Sequence, residues 1–293
     1  MRDEQELIQN ITAWKVIDAT GASPEAYTDA QGFWRLPQTS PETLEAPFET
    51  DRQELERLGT MKANLGLWPG EGVAHFYQPA ALILGKLDRR LPAVDTALQW
   101  AEDEAIPLVL RIAGGQAIVS DNGVLNISLL TAMPDETISI AQGFELMAQV
   151  VQGAFTRVVE NRYGEALPEL HAHIGAVPRS YCPGDYDLAV GGKKICGIAQ
   201  RRVKNAIGLM GYVSVGGDQA ARARLVREYY RQGEANERFP ASDPEVMTTV
   251  NDALRAYDPW AVPVTVEEFR DHVLAEIGAE QVSRESIMNE NIV

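Results

Sequence analysis

Cysteine is almost missing from this chain of 293 residues: there are two, Cys182 and Cys196. Two are too few for a disulfide framework and suit a compartment where thiols stay reduced. Basic residues are also short, with 26 Lys and Arg against 42 Asp and Glu, for a net charge of −16. Duplex nucleic acid normally needs a basic face, so that partner class is disfavoured. No apolar run approaches the roughly 18 residues of a membrane span. The N-terminus, M-R-D-E-Q-E, lacks the apolar stretch of a secretory signal, so the expected location is cytoplasmic. Neither the Rossmann nor the P-loop glycine pattern occurs, which disfavours nucleotide sites of those kinds. There is no internal repeat and no low-complexity segment.

What is present is a hydrophobic content of 45%, enough for one sizeable core. Residues 1 to about 55 mix one short apolar element with Pro, Thr, Ser and Gly and read as an extended arm or an outer strand. From residue 80 the pattern sharpens. A-A-L-I-L-G reads as a strand, residues 91–104 as a helix, and I-P-L-V-L-R-I as a second strand closed by Gly114-Gly115. A-I-V-S, D-N-G and V-L-N-I-S-L-L predict a hairpin, because Asn-Gly readily takes positive φ. Residues 138–163 carry the longest apolar stripe at helical spacing. D-L-A-V, G-G and K-K-I-C-G-I-A-Q-R-R predict another hairpin, followed by a third strand that stops at Gly216-Gly217. Helices are expected near 218–232, 243–256 and 265–279, with Asp243-Pro244 and Thr265 as start signals. The expected fold class is α+β, a mixed, mostly antiparallel sheet backed by helices.

Two constellations carry chemistry. Cys182 sits in S-Y-C-P-G-D-Y-D, on a turn rather than inside a strand or helix. A packed loop thiol is one reading; the other draws on the hairpin that follows. If Gly191-Gly192 is its turn, Lys193 and Lys194 start a strand that returns toward Cys182. An ammonium near a thiol favours the thiolate, which is the nucleophile. Cys196 alternates in K-I-C-G-I-A and reads as a strand-packing residue. A disulfide or shared metal between the two is disfavoured, since C-x13-C matches no common zinc spacing. The second constellation is R-I-A-G-G-Q, where Gly114 and Gly115 let backbone approach a ligand closely. His171 and His173 lack an evident third metal ligand, and His75 and His272 stand alone. The basic run Lys193, Lys194, Arg201, Arg202 and Lys204 reads either as a solvated face or as a docking patch for an acidic partner.

The ordered set L-G-K-L-D-R-R-L-P, R-I-A-G-G-Q-A-I-V-S-D-N-G-V-L-N-I-S, S-Y-C-P-G-D-Y-D-L and G-K-K-I-C-G-I-A-Q-R-R resembles the lipoyl-attachment superfamily. Within it, S-Y-C-P-G-x-Y-D-L resembles the cysteine-dependent octanoyl-[glycine cleavage H protein]:protein octanoyltransferases, or lipoyl amidotransferases. The resemblance implies a biotin and lipoate ligase-like catalytic domain over 46–255, an N-terminal arm over 1–45 packing on it, and a short helical extension over 256–293. It implies Cys182 as the nucleophile that carries octanoyl as a thioester, with Lys194 as the active-site lysine. Arg111, Gly114 and Gly115 match the acyl-binding loop. Ala113 stands where the family usually has Ser, and Gln116 follows the glycine pair. The implied donor is octanoylated glycine cleavage H protein, and the implied acceptors are lipoyl domains of 2-oxoacid dehydrogenases, with neither ATP nor a metal as cofactor. Residues 46–58 match the family's first helix poorly.

Three rivals stand beside this reading. An ATP-dependent lipoate ligase tends to keep Arg and His where this chain has Ile112 and Ser120, and would leave Cys182 without a task. An octanoyl-acyl carrier protein transferase shares the cysteine and differs in donor. A non-catalytic lipoyl-domain binder fits poorly with the paired Cys182 and Lys194.

Overall fold

The computed structural model describes residues 11–279 except 12, 22, 23, 31, 33, 61–70 and 134–137. Within these residues one large sheet organises the molecule. Its strands are β1 (Ala13–Ala19), β4 (Glu71–Tyr77), β8 (Val124–Ala132), β12 (Ala206–Ser214), β11 (Lys193–Val203), β10 (Leu188–Val190) and β9 (His173–Ile174), in that spatial order. All neighbours run antiparallel except β1 and β4. A smaller sheet places β5 (Ala81–Leu84) between β6 (Leu108–Leu110) and β7 (Ile118–Ser120). A two-stranded ribbon, β2 (Tyr27–Thr28) with β3 (Trp34–Arg35), lies outside both. The expected α+β class, mostly antiparallel and backed by helices, is what is found.

Every residue of β8 is buried, so its sequence reads V-L-N-I-S-L-L-T-A rather than as a polar alternation. Both faces of the sheet are covered. On one face lie α3 (Ile140–Tyr163) and α6 (Val266–Glu276), packing Phe155, Val151, Leu129 and Phe269 into the main core. Ser139 and Gln142 form a capping box at the start of α3, and Gly164 closes it at φ +82°. On the other face lies α1 (Pro41–Thr60), whose Leu55 and Leu58 pack on Leu130 and Met210. The smaller sheet, α2 (Val94–Asp103) and α4 (Gln219–Gln232) complete that side, whereas α5 (Val250–Tyr257) packs Val250 and Leu254 into the main core.

Three expectations are corrected. The helix expected over 243–256 starts only at Val250, capped by Thr249, while Asp243-Pro244 opens a separate 3-10 turn, Pro244–Val246. The segment read as arm or outer strand to about residue 55 contains a real outer strand, β1, but from Pro41 it is helical. Ser40 accepts from Thr43 N at 3.3 Å and Pro41 occupies the first turn, a start signal that outweighs Pro47 inside the helix. The D-N-G hairpin does not form either: β7 pairs with β5 in the small sheet while β8 enters the large one. Neither Asn122 nor Gly123 takes positive φ, so the turn lacks the twist of a tight hairpin. The hairpin over Gly191-Gly192 forms as expected, with both glycines at positive φ, +57° and +75°.

Candidate active site

The chain turns sharply at residues 177–187, and Cys182 is held there at φ +43°, a conformation costly for a residue with a side chain. What holds it is Lys194. The hairpin brings this residue back under the loop, where its ammonium is buried and donates to Tyr181 O at 3.1 Å and to Cys182 O at 2.8 Å. Its third contact is Asp187 Oδ2, 2.8 Å away and equally buried. An ammonium has three protons, and all three are committed. Asp187 also accepts from Gly184 N at 3.0 Å, closing the loop on itself. Burial pushes the Asp187 carboxyl upward, against the pull of Lys194. The structure therefore brings Lys194 to the cysteine's backbone carbonyl, not to its sulfur.

The sulfur meets the second constellation. Gln116 N–H donates to Cys182 Sγ at 3.2 Å, and Arg111 Nη2 lies 3.5 Å from it. Arg111 also donates to Gly114 O at 3.0 Å and Gln116 O at 2.8 Å, so the guanidinium wraps the loop that presents the amide. Gly115 sits at φ +94°, and a Cβ there would lie 2.6 Å from Arg111 Nη2 and 2.8 Å from Sγ. Only a glycine lets this loop close on the thiol. Asp88 and Tyr230 support the loop from behind: Ala117 N donates to Tyr230 OH, which donates to Asp88, which accepts from Gly85 N. Burial raises the carboxyl of Asp88.

Behind the sulfur is a partly open, mostly apolar pocket. Ile83, Ile118, Met210, Tyr212 and Phe48 give it apolar walls, and Cys182 and Arg111 stand on its lining. Gly197 opens room beside Tyr212, where a Cβ would come within 2.5 Å of the ring. Asp51 and Tyr77 also line it. Asp51, from α1, accepts from Ser128 Oγ at 2.6 Å and Tyr77 OH at 3.2 Å, and its other oxygen lies 2.8 Å from His75 Nδ1. Sequence reading missed this cluster. It treated His75 as isolated and found 46–58 a poor match to the family's first helix; the start signal at Ser40-Pro41 was the available clue.

The remaining sequence candidates disperse. Cys196 is fully buried in β11, both cysteines are free, and burial pushes the Cys196 thiol far above its usual range. Of the basic run, Lys194 is buried and Arg202 donates to Ile138 O and Ser139 O at 2.9 and 2.7 Å, while Lys193 and Lys204 stay exposed. His171 and His173 meet edge to face at 4.8 Å, and no cluster of metal-ligating side chains occurs among the described residues. His272 lies on α6 away from these groups, its Nε2 without a partner among the described residues. No helix of the described residues is long and apolar enough to cross a membrane.

Residues 62–278 match the Lipoyl protein ligase A/B catalytic domain family. The chain is 31% identical over 253 residues to octanoyl-[GcvH]:protein N-octanoyltransferase of Anoxybacillus flavithermus, a stretch covering 85% of this chain and 79% of that protein. It is 39% identical over 173 residues to the protein of the same name from Geobacillus kaustophilus, covering 59% of this chain and 58% of the relative. Lipoyl-[GcvH]:protein N-lipoyltransferase of Listeria monocytogenes is 32% identical over 176 residues, 59% of this chain and 60% of that one. Among solved structures, lipoate-protein ligase A bound with ATP superposes with a TM-score of 0.58 at 20% identity, covering 84% of this chain and 83% of that one. At that identity the likeness is one of fold.

Proposed function

This chain belongs to the lipoyl protein ligase A/B catalytic domain family, within its protein N-octanoyltransferases, and we propose that it moves an octanoyl or lipoyl group between protein lysines through a thioester on Cys182. The observation that carries this is the placement of Cys182 Sγ. It lies at an apolar pocket, 3.2 Å from a backbone N–H and 3.5 Å from a guanidinium.

The reaction is an exchange of one amide for another in two steps. Cys182 Sγ attacks the carbonyl carbon of an octanoyl-lysine. The S–C bond forms, the C–N bond breaks, and the thiol's proton ends on the departing lysine amine. An acceptor lysine then attacks the thioester: its C–N bond forms, the S–C bond breaks, and the amine's proton returns to sulfur. In this scheme Lys194 and Asp187 position the nucleophile by fixing its backbone. Arg111 and the Gly114–Gln116 loop hold the sulfur and border the space that the acyl carbonyl enters. The apolar walls take the chain, at about 0.8 kcal/mol per buried methylene. The donor is the glycine cleavage H protein in octanoylated form, which the names of the relatives support; the acceptors, which the motif resemblance alone implies, are lipoyl domains of 2-oxoacid dehydrogenases. A cytoplasmic setting keeps Cys182 reduced.

Incubation of the purified chain with octanoylated H protein, without ATP, is expected to add the mass of one octanoyl group. The adduct should be labile to hydroxylamine and absent from Cys182→Ala. Acylation from octanoyl-acyl carrier protein alone would assign a different donor. ATP-dependent modification of a lipoyl domain that survives Cys182→Ala would refute the thioester route.

A further inference from the structure

The cations of this acidic chain are mostly neutralised where they stand. Arg52 is paired with Glu49 and Glu56, Arg57 with Glu54 and Glu71, and Arg231 with Glu228. Like Lys193 and Lys204 of the β11 hairpins, Lys86, Arg89, Arg90 and Arg238 are exposed and carry no ion pair among the described residues. They also converge on one place. Lys86, Arg89 and Arg90 stand on the 3-10 turn Lys86–Arg90 that follows β5, and Leu87 N of that turn donates to Gly115 O at 3.3 Å. Arg238 accepts at its carbonyl from Gln116 Nε2, 3.1 Å away. Gln116 N in turn donates to Cys182 Sγ. Two segments bearing exposed cations, the Lys86–Arg90 turn and the one ending at Arg238, therefore hold the loop that touches the sulfur.

The one carboxylate inside the first segment does not cancel it. Asp88 faces inward, accepting from Gly85 N at 2.7 Å and Tyr230 OH at 2.9 Å. Glu234 and Glu237, just before Arg238, and Asp185, on the Cys182 loop, are exposed acidic neighbours in sequence, so the positive charge is concentrated in Lys86, Arg89 and Arg90. Leu87, 40% exposed on the same turn, and Leu110, 39% exposed at the end of β6 and directly before Arg111, add apolar surface. A body of charge −16 repels acidic partners at long range, so such a partner engages where local cations reverse the field.

We infer that the rim of Lys86, Arg89, Arg90 and Arg238 around Leu87 is the docking surface for an acidic protein domain that presents an acylated lysine to Cys182. This rests on the transferase reading above, and names the surface by which the protein donor, as opposed to its acyl chain, is recognised.

The test uses two donors on the full chain, wild type and the triple variant K86E/R89E/R90E. One is an acidic octanoylated H protein; the other is the small thioester octanoyl-N-acetylcysteamine. Acylation of Cys182 is followed by intact mass. With the protein donor, the variant should lose about tenfold or more in kcat/KM, mostly as a raised KM, and most of the wild-type sensitivity to salt. With the small donor the two proteins should react alike, which also shows that the variant is folded. The neutral variant K86Q/R89Q/R90Q should fall between them. Equal losses with both donors would make the rim a support for the loop and overturn the proposal, as would an unchanged rate with the protein donor. Failure of wild-type Cys182 to react with either donor would instead remove the transferase reading itself.

Discussion

Replacing Lys194 by Met separates what the lysine does for the fold from what it does for the reaction. The side chains of Lys194 and Asp187 are each 1% exposed. Removing the ammonium leaves a buried carboxylate without its counter-charge, a loss of about 3–5 kcal/mol. That is a large part of the roughly 5–15 kcal/mol that holds a domain together. Adding Asp187→Asn removes the stranded charge and leaves an acceptor for Gly184 N, so the double variant should regain about half of the loss. The remainder reflects Tyr181 O and Cys182 O, which no longer have their donor. The penalty of the single variant should also depend on pH in a fixed sense. The folded Asp187 carboxyl already titrates above its usual 3.8 because of burial. A group raised in this way favours the folded state at low pH and loses that advantage as pH rises through its folded value. Lys194→Met raises it further, so its deficit should be larger at neutral pH than in mild acid. Urea unfolding at two pH values measures all three quantities. Acylation measured on the same samples gives the second half: the double variant should recover stability without recovering activity, because Cys182 is no longer held at φ +43°. A double variant no more stable than Lys194→Met would refute the buried-charge account. One as active as wild type would refute the brace.

Other outcomes follow from the same geometry. Gly115→Ala, with its Cβ placed 2.8 Å from Sγ at φ +94°, should fold yet lose acylation of Cys182 by a factor of ten or more; retained activity would mean that the loop does not close on the sulfur. Iodoacetamide should label Cys182 in the native protein and leave Cys196 untouched until unfolding, as peptide mapping would show, because burial raises the Cys196 thiol so far. Asp51→Ala leaves His75, Tyr77 and Ser128 without their shared acceptor and should cost about 1–3 kcal/mol per unsatisfied group in urea unfolding. Burial lowers His272 below its ordinary 6.5, so the unfolded chain binds more protons there and stability should fall as pH drops below 6.5. His272→Gln should flatten that slope, and an unchanged slope would contradict the assignment.

How much of this was legible in the sequence depended on whether the signal was local. The Gly191-Gly192 hairpin was readable because two glycines supply the two positive φ values that its turn requires. The α3 helix was readable because its apolar stripe is long and its ends are capped by Ser139 and Gly164. D-N-G misled because the partner of β7 was settled elsewhere, by β5 some 35 residues earlier in the chain, through a register that no turn residue encodes. The first helix was hidden by Pro47, although Ser40 and Pro41 announced it. The site divided in the same way. Cys182, Lys194, Arg111 and Gly115 announce themselves by motif, whereas Asp51 reaches His75 and Ser128 across 24 and 77 residues. Nor did the motif tell which end of Cys182 the lysine would meet.

That last point explains the spacing of the motif. From Cys182 the chain needs a short closing turn, the three residues of β10, the Gly191-Gly192 turn, and the first residues of β11 to come back beneath its start. Lys194 is where the returning strand passes under the loop, twelve residues on, and its ammonium there reaches two carbonyls and a carboxylate at once. The same logic governs Arg111, whose guanidinium binds the carbonyls of Gly114 and Gln116 before it reaches sulfur. Each cation thus fixes the backbone of one loop, and the two loops meet at Sγ. Charge at this site acts first through geometry: it holds a thiol and an amide donor 3.2 Å apart before any substrate arrives. A lengthened Gly191-Gly192 turn would keep every side chain of the motif and still fail, because Lys194 would no longer lie beneath Cys182.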